Sequence, residues 1–304
     1  MSKSSLFRFL VIFLTGAAVT ILAWTDDPER DLDSLVAAER AFSKLSEASG
    51  IRTAFLANLA PQAIVLRPRP APGRSVYEGI PPELPAVLKR QPVVAEVSAA
   101  GDMGWTSGPY ELRPASDYRG APGVGHYVSV WGREKGGVWK VLIDGGIGHG
   151  APETPVQPDL ARLLPGGGGR PALSPSERDR EKRSLIRRDG SFSSRVEAVG
   201  LAGAYLHEGA DDIRLYLEGE DPVLGKDKVQ AKFAGSAWSV NLVPAGGRVS
   251  ESGDLGYTYG TGTMKRLSDE PAETAFGYLR VWRRADTGRW LVCLDLLLFS
   301  ASAS

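Results

Sequence analysis

The string GDMGWTSGPYELRP at 101–114 returns in altered form as GDLGYTYGTGTMKR at 253–266. The match extends well beyond it. YVSVWGREKGGVWKVLID (127–144) aligns without a gap on YLRVWRRADTGRWLVCLD (278–295), AFSKLSEASG (41–50) on SFSSRVEAVG (191–200), and AFLANLAPQAIVL (54–66) on AYLHEGADDIRLY (204–216). Paired positions stand 150, 151 or 152 residues apart, as in Gly50 and Gly200, Tyr127 and Tyr278, and Asp102 and Asp254. A period that long is far beyond a solenoid unit and means a duplicated domain. Both copies must therefore adopt one fold, and 304 residues suffice for two cores of ordinary size.

The repeat sets the boundaries at 25–148 and 175–304. Between them, 149–174 carries prolines at 152, 155, 158, 165 and 171 and four glycines at 166–169, which predicts a linker without regular structure. Residues 1–24 stand apart. Lys3 and Arg8 precede an uncharged apolar run ending at Trp24, the pattern of a secretory signal. The run falls short of the roughly 20 apolar residues of a comfortable membrane span, and its cleavage pattern is imperfect, so an uncleaved membrane tether stays open. Either way the segment predicts a secreted, periplasmic or extracytoplasmic membrane-anchored protein.

Lysine plus arginine balance aspartate plus glutamate at 36 each, which removes any global electrostatic case for nucleic acid. The single cysteine, Cys293, excludes an intramolecular disulfide and a cysteine-rich metal site. Each copy has the same coarse order. A helix opens at Asp27-Pro28 or at the capping box Ser174-Pro175-Ser176-Glu177. It stops at Gly50 or Gly200, and a short second helix follows. Then come a strand, an irregular stretch and four strand-like runs, the last two joined by the glycine turns REKGGV and RADTGR. Helices followed by an antiparallel sheet make an α+β domain.

That order, with ERAF on the first helix, GDMGWTSG on a strand and YVSVWGREKGGVWKVLID at the end, resembles the SnoaL-like group of the nuclear transport factor 2-like superfamily. The resemblance covers roughly 30–148 and 175–299. It implies two tandem cone-shaped domains, each with N-terminal helices packed on a curved, mainly antiparallel sheet around an apolar cavity. It also implies an internal pseudo-dimer formed through the sheets. It implies no reaction, because dehydratases, isomerases and pure binding modules share the fold.

Glu39 is the sharpest candidate for chemistry. It falls within the apolar stripe of Leu32, Leu35, Val36, Phe42 and Ser46, and the aligned Asp189 falls among Leu185, Phe192 and Val196. A carboxylate aimed at a core or cavity acts as a proton carrier or is a structural group tied to a tryptophan N–H, an arginine or backbone amides. His126 shares a strand face with Val128 and Val130; if that face is the concave one, an imidazole titrating near neutrality enters the pocket, and otherwise it sits at a strand end in solvent. The second copy has Gly277 there. Asp144 ends the last matched strand and completes a catalytic set with Glu39 and His126; with His149 it matches no tight metal spacing, so no metal and no cofactor are expected.

Trp105, Tyr110 and Trp131, with Tyr257 and Trp282 in the second copy, are aromatics at strand spacing, read as core with some lining the cavity. Arg67 is a counter-charge for Glu39, a contact for an anionic ligand, or a surface residue. Asp102 and Asp254 sit beside glycine and read as turn residues. GGIGHG (145–150) precedes prolines rather than a helix, so it is no phosphate loop, and neither G-x-S-x-G nor H-E-x-x-H occurs. The leading expectation is a binding protein for a small apolar or amphipathic molecule held in one or both cavities. The alternatives are a cofactor-independent lyase, isomerase or hydrolase using Glu39 and His126, and an interaction module whose cavities are filled by its own side chains.

Overall fold

The computed structural model describes residues 27–82, 86–113, 121–150, 159–165, 172–267 and 273–300. The candidate leader 1–24 and most of the linker lie outside them. In the first half, helix α1 (Pro28–Asn58) begins where Asp27 accepts a hydrogen bond from the Arg30 amide at 3.2 Å, with Pro28 in the first turn. The chain continues through β1 (Leu59–Leu66), β2 (Pro70–Pro72) and the short helix α2 (Gly73–Glu78). Five strands follow: β3 (Val87–Arg90), β4 (Val94–Val97), β5 (Met103–Arg113), β6 (Gly123–Arg133) and β7 (Trp139–Gly148).

The linker corrects its expectation. Ala161–Leu163 forms a strand, β8, that pairs in parallel with Val94–Glu96 and covers the edge of the first sheet. An apolar Ala-x-Leu step between prolines is long enough to add three residues to an open edge.

The second half repeats the plan with α3 (Pro175–Gly190), α4 (Phe192–Glu208), β9 (Gly209–Leu217), β10 (Val223–Leu224), α5 (Lys226–Phe233), β11 (Trp238–Val249), β12 (Leu255–Arg266), β13 (Thr274–Arg284) and β14 (Trp290–Phe299). The strand orders correspond: β2-β1-β7-β6-β5-β4-β8 with β3 also on β5, against β10-β9-β14-β13-β12-β11. In each sheet the first long strand pairs in parallel with the last, and the hairpins are antiparallel. Helices α2 and α5 occupy the stretch read as irregular. Gly50 and Gly200 interrupt their helices with φ/ψ of 79°/162° and 74°/166°. The duplication thus survives as backbone geometry.

Alternation along the strands gives each sheet two apolar faces. The inner face of the first sheet, with Val65, Trp131 and Val141, packs on Leu32, Leu35 and Phe42 of α1. In the second half Leu215, Trp282 and Val292 pack on Leu185 and Phe192. The outer faces meet each other: Trp105, Val128, Val130 and Ile143 share one cluster with Leu279, Val281, Leu294 and Leu296.

The repeated Gly-Asp turn seals that contact. Asp254 accepts from the Ala99 amide at 2.8 Å, and Asp102 accepts from the Glu251 amide at 3.1 Å, although Ala99 pairs with Glu251 and Asp102 with Asp254 in the repeat. Such reciprocity is the mark of a two-fold contact. Both aspartates also hold their own turns, through Ser98 and Ser250. Glu96 adds a buried ion pair, accepting from Trp105 Nε1 at 2.8 Å and from Arg283 Nη2 at 2.9 Å across the junction.

The Gly200 conformation is one that only glycine adopts without strain. No atom lies within 4 Å of the Cβ position that alanine would add, so Gly200→Ala tests backbone conformation alone. It should cost about 1–3 kcal/mol and lower Tm by several degrees in thermal denaturation; an unchanged Tm would contradict the assigned kink.

Candidate functional site

Each half encloses a space between its helices and the inner face of its sheet. In the first half Arg90 of β3 fills it. Its Nη2 donates to Asp144 Oδ2 at 2.7 Å, its Nη1 donates to Ser129 Oγ at 3.0 Å, and Nη1 stands 3.6 Å from Glu39 Oε1. Ser129 also donates to Asp144 at 2.7 Å. Thr106 Oγ1 donates to Glu39 Oε2 at 2.7 Å and accepts from Trp131 Nε1 at 3.2 Å. The guanidinium carbon lies 4.6 Å from the ring centres of both Phe42 and Tyr127, with Phe55 at 5.2 Å. Burial raises the Glu39 carboxyl above its ordinary range, and the Arg90 charge opposes that shift. Four buried atoms of this site, Glu39 Oε1, Arg90 Nε, Asp144 Oδ1 and the Tyr127 hydroxyl, have no hydrogen-bond partner among the described residues.

The second half builds the same bridge with the cation on another strand. Arg280 Nη1 donates to Asp189 Oδ1 at 3.0 Å, and Nη2 donates to Asp295 Oδ2 at 2.6 Å. Tyr278 completes Asp189 at 2.6 Å, Tyr205 completes Asp295 at 2.8 Å, and Trp282 Nε1 donates to Thr258 at 2.8 Å. Burial likewise raises the Asp189 carboxyl against the opposing charge of Arg280. Arg280 stands where the repeat puts Ser129, and Leu242 stands where it puts Arg90. The backbone confirms that pairing: the amides of Arg90 and Leu242 donate to Ser43 and Ser193, each at 2.9 Å. A guanidinium therefore occupies equivalent space in both halves while its anchor has moved from β3 to β13.

These networks place the candidates. Glu39, Asp144 and Asp189 belong to the buried bridges, and Trp131 and Trp282 belong to the packed inner faces. His126 corrects the concave-face expectation. It shares the outer face with Val128 and Val130, so Glu39 and His126 lie on opposite sides of the sheet and cannot act as one acid–base pair. Trp105 and Tyr257 also sit on outer faces, in the core shared by the halves, and line neither enclosed space. Arg67 donates to the Tyr77 hydroxyl at 2.6 Å and lies 3.9 Å from Asp144; the counter-charge for Glu39 is Arg90. Arg90 left a trace in the sequence, since alternation in VLKR puts it on the inner face with Leu88.

Room for a ligand lies elsewhere. The space left inside the second half is about 10 Å³, lined by Phe192, Tyr205 and Tyr278 among others. A cleft of about 780 Å³ opens at the junction instead, running from the mouth of the first half at Ser43 and Arg90 to Arg214, Tyr216 and Leu224 of the second. Tyr110 and His126 are the two sequence candidates that line it. At the related place on the other side of the two-fold the halves meet closely at one point. Gly277, the counterpart of His126, packs so tightly that an added Cβ would stand 2.0 Å from the Pro68 carbonyl oxygen.

No protein-family model and no curated protein sequence matches the chain. Solved structures do. A ketosteroid isomerase-like protein from Erwinia carotovora atroseptica is 15% identical, with 39% of this chain and 95% of that one covered and a TM-score of 0.34. An NTF2-like protein with a cystatin-like fold from Novosphingobium aromaticivorans is 19% identical, covering 42% and 86% with a TM-score of 0.32. An NTF2-like superfamily protein from Salmonella enterica is 7% identical, covering 41% and 95% with a TM-score of 0.34. Helices laid against a mixed sheet in this strand order occur once per half. Each half is an α+β unit, the fold class that the duplicated sequence predicts.

The relocated arginine makes a direct test. Arg90→Leu leaves two buried carboxylates without their cation and should cost about 3–5 kcal/mol. Adding Ser129→Arg to Arg90→Leu copies the second half into the first and should restore most of that loss in chemical denaturation. A double variant no more stable than Arg90→Leu would show that the two bridges are not equivalent.

Proposed function

We propose that the protein binds a small, largely apolar molecule in the cleft at the junction of its halves. The observation that carries this reading is available space with an apolar lining; a second cleft between the halves, about 1030 Å³, is walled largely by charged side chains such as Lys140, Arg178, Asp179 and Glu251. The second enclosed space holds about 10 Å³, roughly one water, whereas the junction cleft, at about 780 Å³, has the size of an ordinary ligand site. Its walls combine Val93, Pro109, Val124 and Leu224 with the rings of Tyr110 and Tyr216. This moves the ligand from the cone interiors, where the sequence put it, to their junction.

In this reading the second half is a built-in partner, an internal pseudo-dimer mate that supplies one wall of the site. The charged start and apolar run of residues 1–24 favour action outside the cytoplasm, free or on a membrane tether. The opposite-face placement of Glu39 and His126 removes the support for an enzyme built on that pair.

A thermal-shift screen of residues 25–304 against small hydrophobic metabolites tests the reading, since a ligand of the folded state raises Tm by mass action. Leu224 is exposed on the cleft rim, so Leu224→Trp narrows the cleft without disturbing a core. Hits should shift the wild type and lose most of that shift in Leu224→Trp. Hits whose shift is untouched by Leu224→Trp would place the ligand elsewhere and contradict the reading.

A further inference from the structure

The junction cleft contains a chain of three polar side chains outside both buried bridges. His126 Nδ1 lies 2.7 Å from His149 Nε2. His149 Nδ1 lies 2.7 Å from the Gly150 carbonyl oxygen and 3.3 Å from Asp221 Oδ1 of the second half. The His149 ring is almost fully buried, its side chain 4% exposed, so its contacts are set by the protein and not by solvent.

The partners decide which nitrogens carry protons. A carbonyl and a carboxylate only accept, so the hydrogen of His149 is on Nδ1. When the ring carries that single proton, Nε2 of His149 is a lone pair. Two lone pairs do not approach to 2.7 Å, so His126 Nδ1 is the donor of that bond. His126 Nε2 remains as a bare acceptor at the cleft wall, and among the described residues no group donates to it. Burial and the neighbouring His149 push the His126 imidazole down to about 4, against the pull of Asp221 and with Arg214 adding to the shift. The ring is therefore neutral at ordinary pH, and the acceptor persists.

The surroundings narrow what can use it. The His126 ring centre lies 4.9 Å from that of His149 and 6.2 Å from that of Tyr216, whose hydroxyl is already engaged by Ser107 at 2.9 Å. The walls nearby are apolar at Val124, Pro222 and Leu224, with Arg214 and Asp221 as their charged neighbours. A neutral ring nitrogen among apolar and aromatic surfaces favours a neutral donor over an ion.

Resting on the cleft reading above, we propose that the site selects molecules with a hydroxyl group on an apolar body, and that His126 Nε2 accepts the hydrogen bond from that hydroxyl. A molecule of the same shape without the O–H leaves a desolvated acceptor unpaired and is rejected. His149 and Asp221 are positioning residues. They fix the His126 ring and its tautomer without touching the ligand.

Two probes of matched shape, p-cresol and p-xylene, test this by equilibrium dialysis. The wild type should bind p-cresol roughly tenfold more tightly, and His126→Phe should bind the two equally. Equal affinities in the wild type, or a preference that survives His126→Phe, would overturn the proposal. A readout on the wild type serves if the variant fails to fold: the ¹⁵N resonance of His126 Nε2 should lie in the unprotonated range and move on adding p-cresol but not p-xylene. A protonated-type Nε2 resonance in the free protein would also overturn it. If neither probe binds, the hydroxyl selection falls. The cleft reading falls with it only if the library screen also returns nothing that Leu224→Trp displaces.

Discussion

A guanidinium held between two buried carboxylates sits at the centre of each half, and much of the fold is arranged around it. An acidic residue on the first helix and another on the last strand point inward in both halves, all of them buried. Buried carboxylates are costly unless paired, and removing one partner of such a set costs far more than the set contributes. That asymmetry explains why a cation is present in both halves although its anchor differs. Arg90 reaches the site from β3 beside a serine, and Arg280 reaches it from β13 opposite a leucine. Once the guanidinium and its aromatic neighbours Phe42 and Tyr127, or Phe192 and Tyr278, are in place, the interior of the cone has gone to structure.

The two-fold contact between outer faces is what creates new space. Its reciprocal bonds run through Asp102 and Asp254, so the repeated turn joins the halves as well as reversing each chain. Departures from symmetry then open one side and bring the halves close at one point on the other. At that point, Gly277 admits the Pro68 backbone of the first half. On the open side stand His126, the His149 ring beyond β7, and a wall from β9 and β10. The strand β8 borders the same cleft through Ala161, so a piece of the linker also shapes the site.

Much of this architecture was legible in the sequence because it rests on local rules. The repeat, the proline and capping-box helix starts, the kinks at Gly50 and Gly200 and the hairpin turns each depend on a few neighbouring residues. The inward aim of Glu39 and Asp189 followed from helical periodicity. Strand alternation placed His126 with Val128 and Val130, yet alternation does not say which face is concave, so it could not decide whether the imidazole joins Glu39. The arginine anchors were harder to read. Arg90 lies in a four-residue strand, and its pairing with Asp144 is a contact 54 residues away. The His149–Asp221 contact joins loops of different halves, and no local pattern announces it.

Hydrogen exchange with and without a bound hit from the small-molecule screen tests the central claim most directly. A ligand at the junction should slow exchange in both halves at once, in the backbone around Val124–His126 and His149 and in the facing segment Arg214–Tyr216. Slowed exchange confined to α1 and β7 around Glu39 and Asp144, or to α3 and α4 around Asp189, would place the ligand inside a cone and contradict the account.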